Sequence, residues 1–266
     1  MLHAHQGNEG AADVPVTVVN GAGRSALLLV CEHASNVIPA RYGDLGIGPE
    51  VAQSHVAWDP GAFAVASAIS ARLDAPLVAG TISRLVYDCN RPPEAPDAMP
   101  ARSERFDIPG NHDLSEAERQ ARTDAVYRPF EATLAETIAS APRPPVLVTM
   151  HSFTPTYLGT RRDVELGIVH DADARFADAM LDCAPRRTTL DVRRNDPYGP
   201  EHGVTHTLRR HALPNGLFNV MIEIRNDLIA DEASQQAMAA TLSEMIADAA
   251  KSLAIEIHDA EGACLQ

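Results

Sequence analysis

Lysine is almost missing from this 266-residue chain: Lys251 is the only one, and arginine supplies nearly all of the basic charge. Basic residues are also outnumbered, 22 against 36 acidic ones, which leaves a formal net charge of −14 and a pI of about 5.1. A surface of that sign repels phosphate backbones and anionic lipid, so nucleic acid and membrane surfaces are not expected partners. An anionic small molecule stays open, because a few arginines can dominate a pocket. No apolar run approaches the ~18 residues that a membrane span needs. Met1 to Asp13 is polar and rich in Gly, His and Ala, unlike a signal peptide. The four cysteines, Cys31, Cys89, Cys183 and Cys264, form no C-x-x-C pair, which excludes zinc-finger and thioredoxin-type readings. Repeats and low-complexity segments are absent as well. Ser35 and Ser152 lack a G-x-S-x-G elbow, which disfavours a serine hydrolase. The expectation is a cytoplasmic protein with free thiols, and nothing in the chain specifies an oligomeric state.

What is present is an ordinary globular composition, 45% hydrophobic with a mean hydropathy of −0.14. Short apolar runs alternate with helical patterns. Strands are expected at Val16–Val19, Ala26–Cys31, Leu77–Ile82, Val146–Met150, Val164–Val169, Thr188–Val192 and Phe218–Ile222. The first two read as a hairpin turning at Asn20-Gly21-Ala22-Gly23, an antiparallel edge on the sheet. Helices are expected after Asp59-Pro60, with Asp59 as N-cap, and after the capping box Ser115-Glu116-Ala117-Glu118, with a kink near Pro129. Others follow at Asp173–Leu181, Gly203–His211 and Glu232–Lys251. The class is α/β, a mainly parallel mixed sheet flanked by helices in three layers. One domain is expected over residues 15–252, with a flexible segment at 1–14 and a poorly ordered tail at 253–266.

Several buried runs end in polar groups: His33 after the first, Ser83-Arg84, His151-Ser152, and Glu223-Ile224-Arg225 after the last. In open α/β sheets, ligands bind outside the carboxyl ends of the strands. Two imidazoles and nearby carboxylates meeting there are the parts of a catalytic zinc site, which keeps three protein ligands and an open position. Ser83-Arg84 through Asp88-Cys89-Asn90-Arg91 carries two arginines suited to gripping a carboxylate, since a guanidinium offers two parallel hydrogen bonds. Asp88 in an ion pair that merely holds the loop is the competing assignment.

The ordered set Glu32-His33-Ala34-Ser35-Asn36, Trp58-Asp59, Ser83-Arg84 with Asp88-Cys89-Asn90-Arg91, His151-Ser152 and Ile222-Glu223 resembles the N-formylglutamate amidohydrolase family, from about Ala26 to Ala249. More distantly it is similar to zinc carboxypeptidases and the aspartoacylase group, which implies a zinc-carboxypeptidase-like, phosphorylase/hydrolase-like fold. The resemblance implies one zinc per chain held by His33 and His151, with Glu223 as general base and Arg84 polarising the scissile carbonyl. Asn90 and Arg91 would hold the substrate carboxylate. Those distant relatives use His-x-x-Glu, whereas Asn36 stands three residues after His33, so the third ligand is sought elsewhere. Asp59 is the first candidate and Glu32 the second, with the N-cap role competing for Asp59. Ser35, Ser152 and Arg225 are further candidates to touch substrate, as are His170, His202, His206 and Arg194. The implied activity is hydrolysis of the N-acyl amide of an acidic amino acid such as N-formyl-L-glutamate, a step of histidine degradation. Around His33, though, the histidine-degradation enzymes tend to carry Pro-His-Ser-Gly. A broader N-acyl-amino-acid deacylase or carboxypeptidase-like amidase is the alternative. A metal-dependent small-molecule binding protein is the non-enzyme reading.

Overall fold

The computed structural model describes residues 14–257. The flexible segment expected at 1–14 lies outside these residues except for Val14, whose carbonyl accepts a hydrogen bond from Thr81. In chain order the strands are β1 (Val16–Val19), β2 (Leu27–Cys31), β3 (Leu77–Gly80), β4 (Arg102–Ser103), β5 (Phe106–Asp107), β6 (Val146–Phe153), β7 (Thr156–Tyr157), β8 (Thr160–Arg161), β9 (Leu166–Val169), β10 (Val192–Arg194) and β11 (Asn219–Arg225). Seven of them form one sheet in the order β1-β3-β2-β6-β11-β9-β10, while β4-β5 and β7-β8 are small hairpins. The helices are α1 (Pro49–Gln53), α2 (Ala62–Arg72), α3 (Glu116–Arg122), α4 (Arg128–Ser140), α5 (Arg175–Arg187) and α6 (Glu232–Ser252).

Strands β3, β2, β6 and β11 run parallel in the middle of the sheet. The expected N-terminal hairpin is not there. β1 is antiparallel, but to β3, which lies between it and β2. The turn at Asn20 only sends the chain past Asp74, whose carboxylate takes the Asn20 amide and Arg24. β9 runs antiparallel to β11, and β10 follows β9.

Side-chain alternation along the central strands divides the core in two. Leu27, Leu29 and Cys31 of β2, Val146, Val148 and Met150 of β6, and Val220, Ile222 and Ile224 of β11 pack beneath α2, α5 and α6. Leu28 and Val30, Leu147, and Met221 point to the other face, against Phe130 and Leu134 of α4 and the loops around Leu85–Tyr87. Continue those second-face rows toward the strand ends and they stop being apolar. They continue into Glu32 just past β2, Thr149 and then His151 on β6, and Glu223 on β11, all buried.

Local signals hold in several places. Ser115 accepts from the Glu118 N–H while Glu118 reaches back to Ser115, the expected capping box. The interruption expected near Pro129 is a π-helical turn, Thr123–Tyr127, after which Pro129 falls in the first turn of α4. Asp59 does not cap α2. The N-cap is Gly61 in a left-handed conformation, which frees the Asp59 carboxylate. Of the tail expected to be poorly ordered, residues 258–266 lie outside the described residues, but Leu253, Ile255 and buried Ile257 pack on the core. Cys31, Cys89 and Cys183 are free and buried, whereas Cys264 lies outside the described residues. Among the described residues, no helix is long and apolar enough to cross a membrane.

Candidate active site

His151 and Glu223 sit inside their strands as direct cross-strand partners in the β6–β11 register. Their side chains therefore share a face and a level in the sheet. On the far side of β11, Glu223 faces Gly167 of β9. A side chain at Gly167 would strike the Asp196 carbonyl and press on the Glu223 Cβ, so glycine leaves room for both. At Gly80 of β3 any side chain would strike the Glu32 carbonyl. Glycine there lets the chain after β2 cross closely and deliver His33.

Three buried ligand atoms converge. His33 Nδ1 lies 3.2 Å from Asp59 Oδ2, His151 Nδ1 lies 2.9 Å from the same oxygen, and the two Nδ1 atoms are 3.2 Å apart. The outer partners decide the protonation. His33 Nε2 is 2.7 Å from Asp88 Oδ1, and a carboxylate can only accept, so the proton sits on Nε2 and the Nδ1 lone pair points inward. His151 has a carboxylate on each side, Glu32 Oε2 at 3.2 Å from Nε2 and Asp59 Oδ2 at 2.9 Å from Nδ1. With the proton of each ring on Nε2, both Nδ1 lone pairs and an Asp59 oxygen face one point, the arrangement a bound cation requires. Tetrahedral zinc with bonds of about 2.0–2.1 Å holds its ligand atoms roughly 3.3 Å apart, close to this triangle. The donor set, two neutral imidazoles and a carboxylate, suits zinc, and His33, Asp59 and His151 fit a metal ion. Burial pulls the His151 pKa down, yet Glu32 and Asp59 hold the imidazole well above its ordinary value.

The surroundings tighten this centre. Arg84 donates Nη1 to Asp59 Oδ1 at 3.2 Å and Nη2 to Asp88 Oδ2 at 2.6 Å, tying together the carboxylates on both sides of His33. Burial works to raise the Asp59 carboxyl, yet His33, His151 and Arg84 drive it far below the usual range. The Ser152 N–H points at Asp59 Oδ2 from 3.3 Å, and its hydroxyl donates to the Pro60 carbonyl, so Ser152 positions the carboxylate. Glu223 differs from Asp59 and Asp88, whose carboxylates are hydrogen-bonded. Its Oε2 is buried without a hydrogen-bond partner, and burial pushes its pKa up to about 7.

These groups open into a cleft of about 300 Å³ lined also by Asn90, Arg91, Arg102, His55, Glu104 and Tyr198. The Asn90 side chain donates to the Val204 carbonyl at 2.5 Å and accepts from the Thr207 N–H and hydroxyl, which anchors the cleft wall. Arg91 reaches Asp97 at 2.7 Å and the Gly203 carbonyl at 2.8 Å. Arg102, which sequence reasoning missed, enters from the β4-β5 hairpin. Its Nε donates to the Glu104 carbonyl, and no carboxylate pairs with it among the described residues. Only the hairpin brings it here, and no motif marks it.

Other expected contacts lie elsewhere. Ser35 turns back to accept from the Val37 N–H and is not part of the cleft. The Arg225 guanidinium is spent on Asp227, Glu165 and the Asp163 carbonyl, which makes it a brace for the loop before β9. His170 follows β9, and because β9 runs against β11 it emerges at the opposite end of the sheet, beside Arg194. His206 bonds to the Tyr127 hydroxyl and His202 takes the Gly199 N–H, both away from the cleft lining.

The N-formylglutamate amidohydrolase family pattern matches residues 25–230. Among solved structures, a gene product of Agrobacterium tumefaciens is 58% identical with a TM-score of 0.89, over 92% of this chain and 98% of that one. The N-formylglutamate amidohydrolase of Ralstonia eutropha shares the fold at 19% identity, with a TM-score of 0.61 over 90% of this chain and 99% of that one. No match was found among curated proteins.

Proposed function

The chain belongs to the N-formylglutamate amidohydrolase family, and from that membership we propose that it is a metal-dependent hydrolase of the N-acyl amide of acidic amino acids, N-formyl-L-glutamate foremost. The observation that carries this reading is the meeting of the His33, Asp59 and His151 lone pairs beside an uncompensated Glu223. His33, Asp59 and His151 would hold one zinc ion, which supplies Lewis acidity and lowers the pKa of water at the centre.

The protein's own groups do the rest. Glu223, carried toward neutrality by burial, is matched to accept a proton from attacking water near pH 7 and to return it to the leaving amine. Arg84 stays cationic, its guanidinium held by Asp88 and Asp59, and it presents fixed positive charge where the amide oxygen becomes an oxyanion. Arg91 is held in the cleft wall by Asn90 and Gly203 carbonyls, and we assign it the α-carboxylate. Asn90 positions that wall. Arg102, free of a carboxylate partner, is assigned the side-chain carboxylate of an acidic substrate. The test is a hydrolysis screen over N-formyl and N-acetyl derivatives of Glu, Gln, Asp and Leu. Strongest turnover of N-formyl-L-glutamate supports the reading, and turnover blind to the amino acid rejects the assigned carboxylate contacts.

A further inference from the structure

Glu32 is buried, its side chain fully shielded from solvent, and it plays no part in the chemistry above. Neither of its oxygens has a hydrogen-bond partner, and no arginine or lysine pairs with it among the described residues. Asp88, the carboxylate behind the other metal-site histidine, is its opposite. Asp88 accepts from His33, from two Arg84 nitrogens and from the Asn90 N–H. A buried carboxylate with no arginine or lysine partner draws its compensation from the neighbouring imidazoles.

What Glu32 does have is His151. Its Oε2 lies 3.2 Å from His151 Nε2, which is itself buried and otherwise unpartnered, at an angle that falls short of a hydrogen bond. The other nitrogen of that ring, Nδ1, is the one in the metal triangle. Glu32 therefore sits behind the ligand, on the nitrogen remote from the triangle, and Asp59 is the carboxylate placed to be the third ligand.

We propose that Glu32 is a positioning residue for His151: its charge fixes the proton on Nε2, turns the ring and strengthens Nδ1 as a metal ligand. This rests on reading the triangle as a metal site. A carboxylate behind a ligating imidazole orients the ring and raises its basicity, and its loss weakens metal binding by about 10–100-fold. The structure provides two such pairs with different support. Asp88 is shared with Arg84, whereas Glu32 is committed to one ring.

A role confined to the ligand changes metal affinity and leaves substrate binding at saturating metal unchanged, which gives the test. Zinc affinity is measured by chelator competition on wild type, Glu32→Gln and Glu32→Leu, alongside the KM of each at saturating zinc. The expected result is zinc binding weakened about 10–100-fold, more in Glu32→Leu than in Glu32→Gln, with KM unchanged at saturating zinc. Should Glu32→Leu not fold, the isosteric Glu32→Gln decides. Unchanged zinc affinity overturns the proposal, and so does an affinity loss accompanied by a raised KM at saturating zinc. Wild type that binds no zinc overturns the metal reading beneath it, a separate and recognisable outcome.

Discussion

Replacing Glu223 by Gln should change stability and catalysis in ways that share one cause. The Glu223 carboxyl is fully buried and pushed from 4.5 up to about 7. Between those values the folded protein keeps a proton that the unfolded chain has released. Stability therefore falls as pH rises through this window and levels off above it. The size of the loss is about 3 kcal/mol, since each pH decade is worth about 1.36 kcal/mol. Glu223→Gln has no such proton. Urea denaturation of the two zinc-free proteins at steps from pH 4 to 8 should show the variant gaining on wild type by about 3 kcal/mol across the window. Taking the difference removes the constant effect of swapping a carboxyl for an amide. Bound zinc nearby favours the carboxylate, so the window should narrow in the holoprotein. At saturating substrate the same variant should keep its zinc yet lose about 10²–10⁴ in kcat, about 3–5 kcal/mol of barrier. Parallel stability profiles would refute the desolvated carboxyl, and near-normal turnover would refute its role as base.

Alanine at His33, His151 or Asp59 should each abolish stoichiometric zinc in elemental analysis, and retention of zinc by Asp59→Ala would remove it from the ligand set. Zinc affinity should fall as pH drops, because protons compete for the same lone pairs, and titrations at pH 6 and 8 would show it. Esterifying the substrate α-carboxylate should raise KM at least about tenfold, and Arg91→Lys should not restore wild-type KM, because a point charge lacks the planar fork. Arg102→Gln should erase the preference for N-formyl-L-glutamate over N-formyl-L-glutamine, about tenfold for one exposed charged contact, and an undiminished preference would free Arg102 from that role.

The residues of the centre were legible because a sheet shows its faces in sequence. Apolar runs that end in His or Glu identify positions at strand ends, and β6 and β11 carry theirs in register. Strand direction was less legible. Parallel neighbours need a crossover of a dozen or more residues, usually helical. The stretch from Phe153 to Leu166 holds only the β7-β8 hairpin, so the chain re-enters from the end it left. That missing helix was the available sign that β9 is antiparallel, and overlooking it placed His170 on the wrong side. The pairing of β1 with β3 joins segments some 60 residues apart and leaves no local trace. Asp59 invited a cap assignment because Asp-Pro is a good helix opening, whereas tertiary contact with two histidines and Arg84 determines its role. Asp88 looked like half of an ion pair, and it is one, but the same carboxylate also sets the His33 tautomer.

The most direct test of the central claim is the rate of N-formyl-L-glutamate hydrolysis by one preparation before metal chelation, after it, and after stoichiometric zinc is returned, with elemental analysis at each stage. The account predicts about one zinc per chain, activity lost with the metal and restored with it. Undiminished hydrolysis by metal-free protein would contradict it.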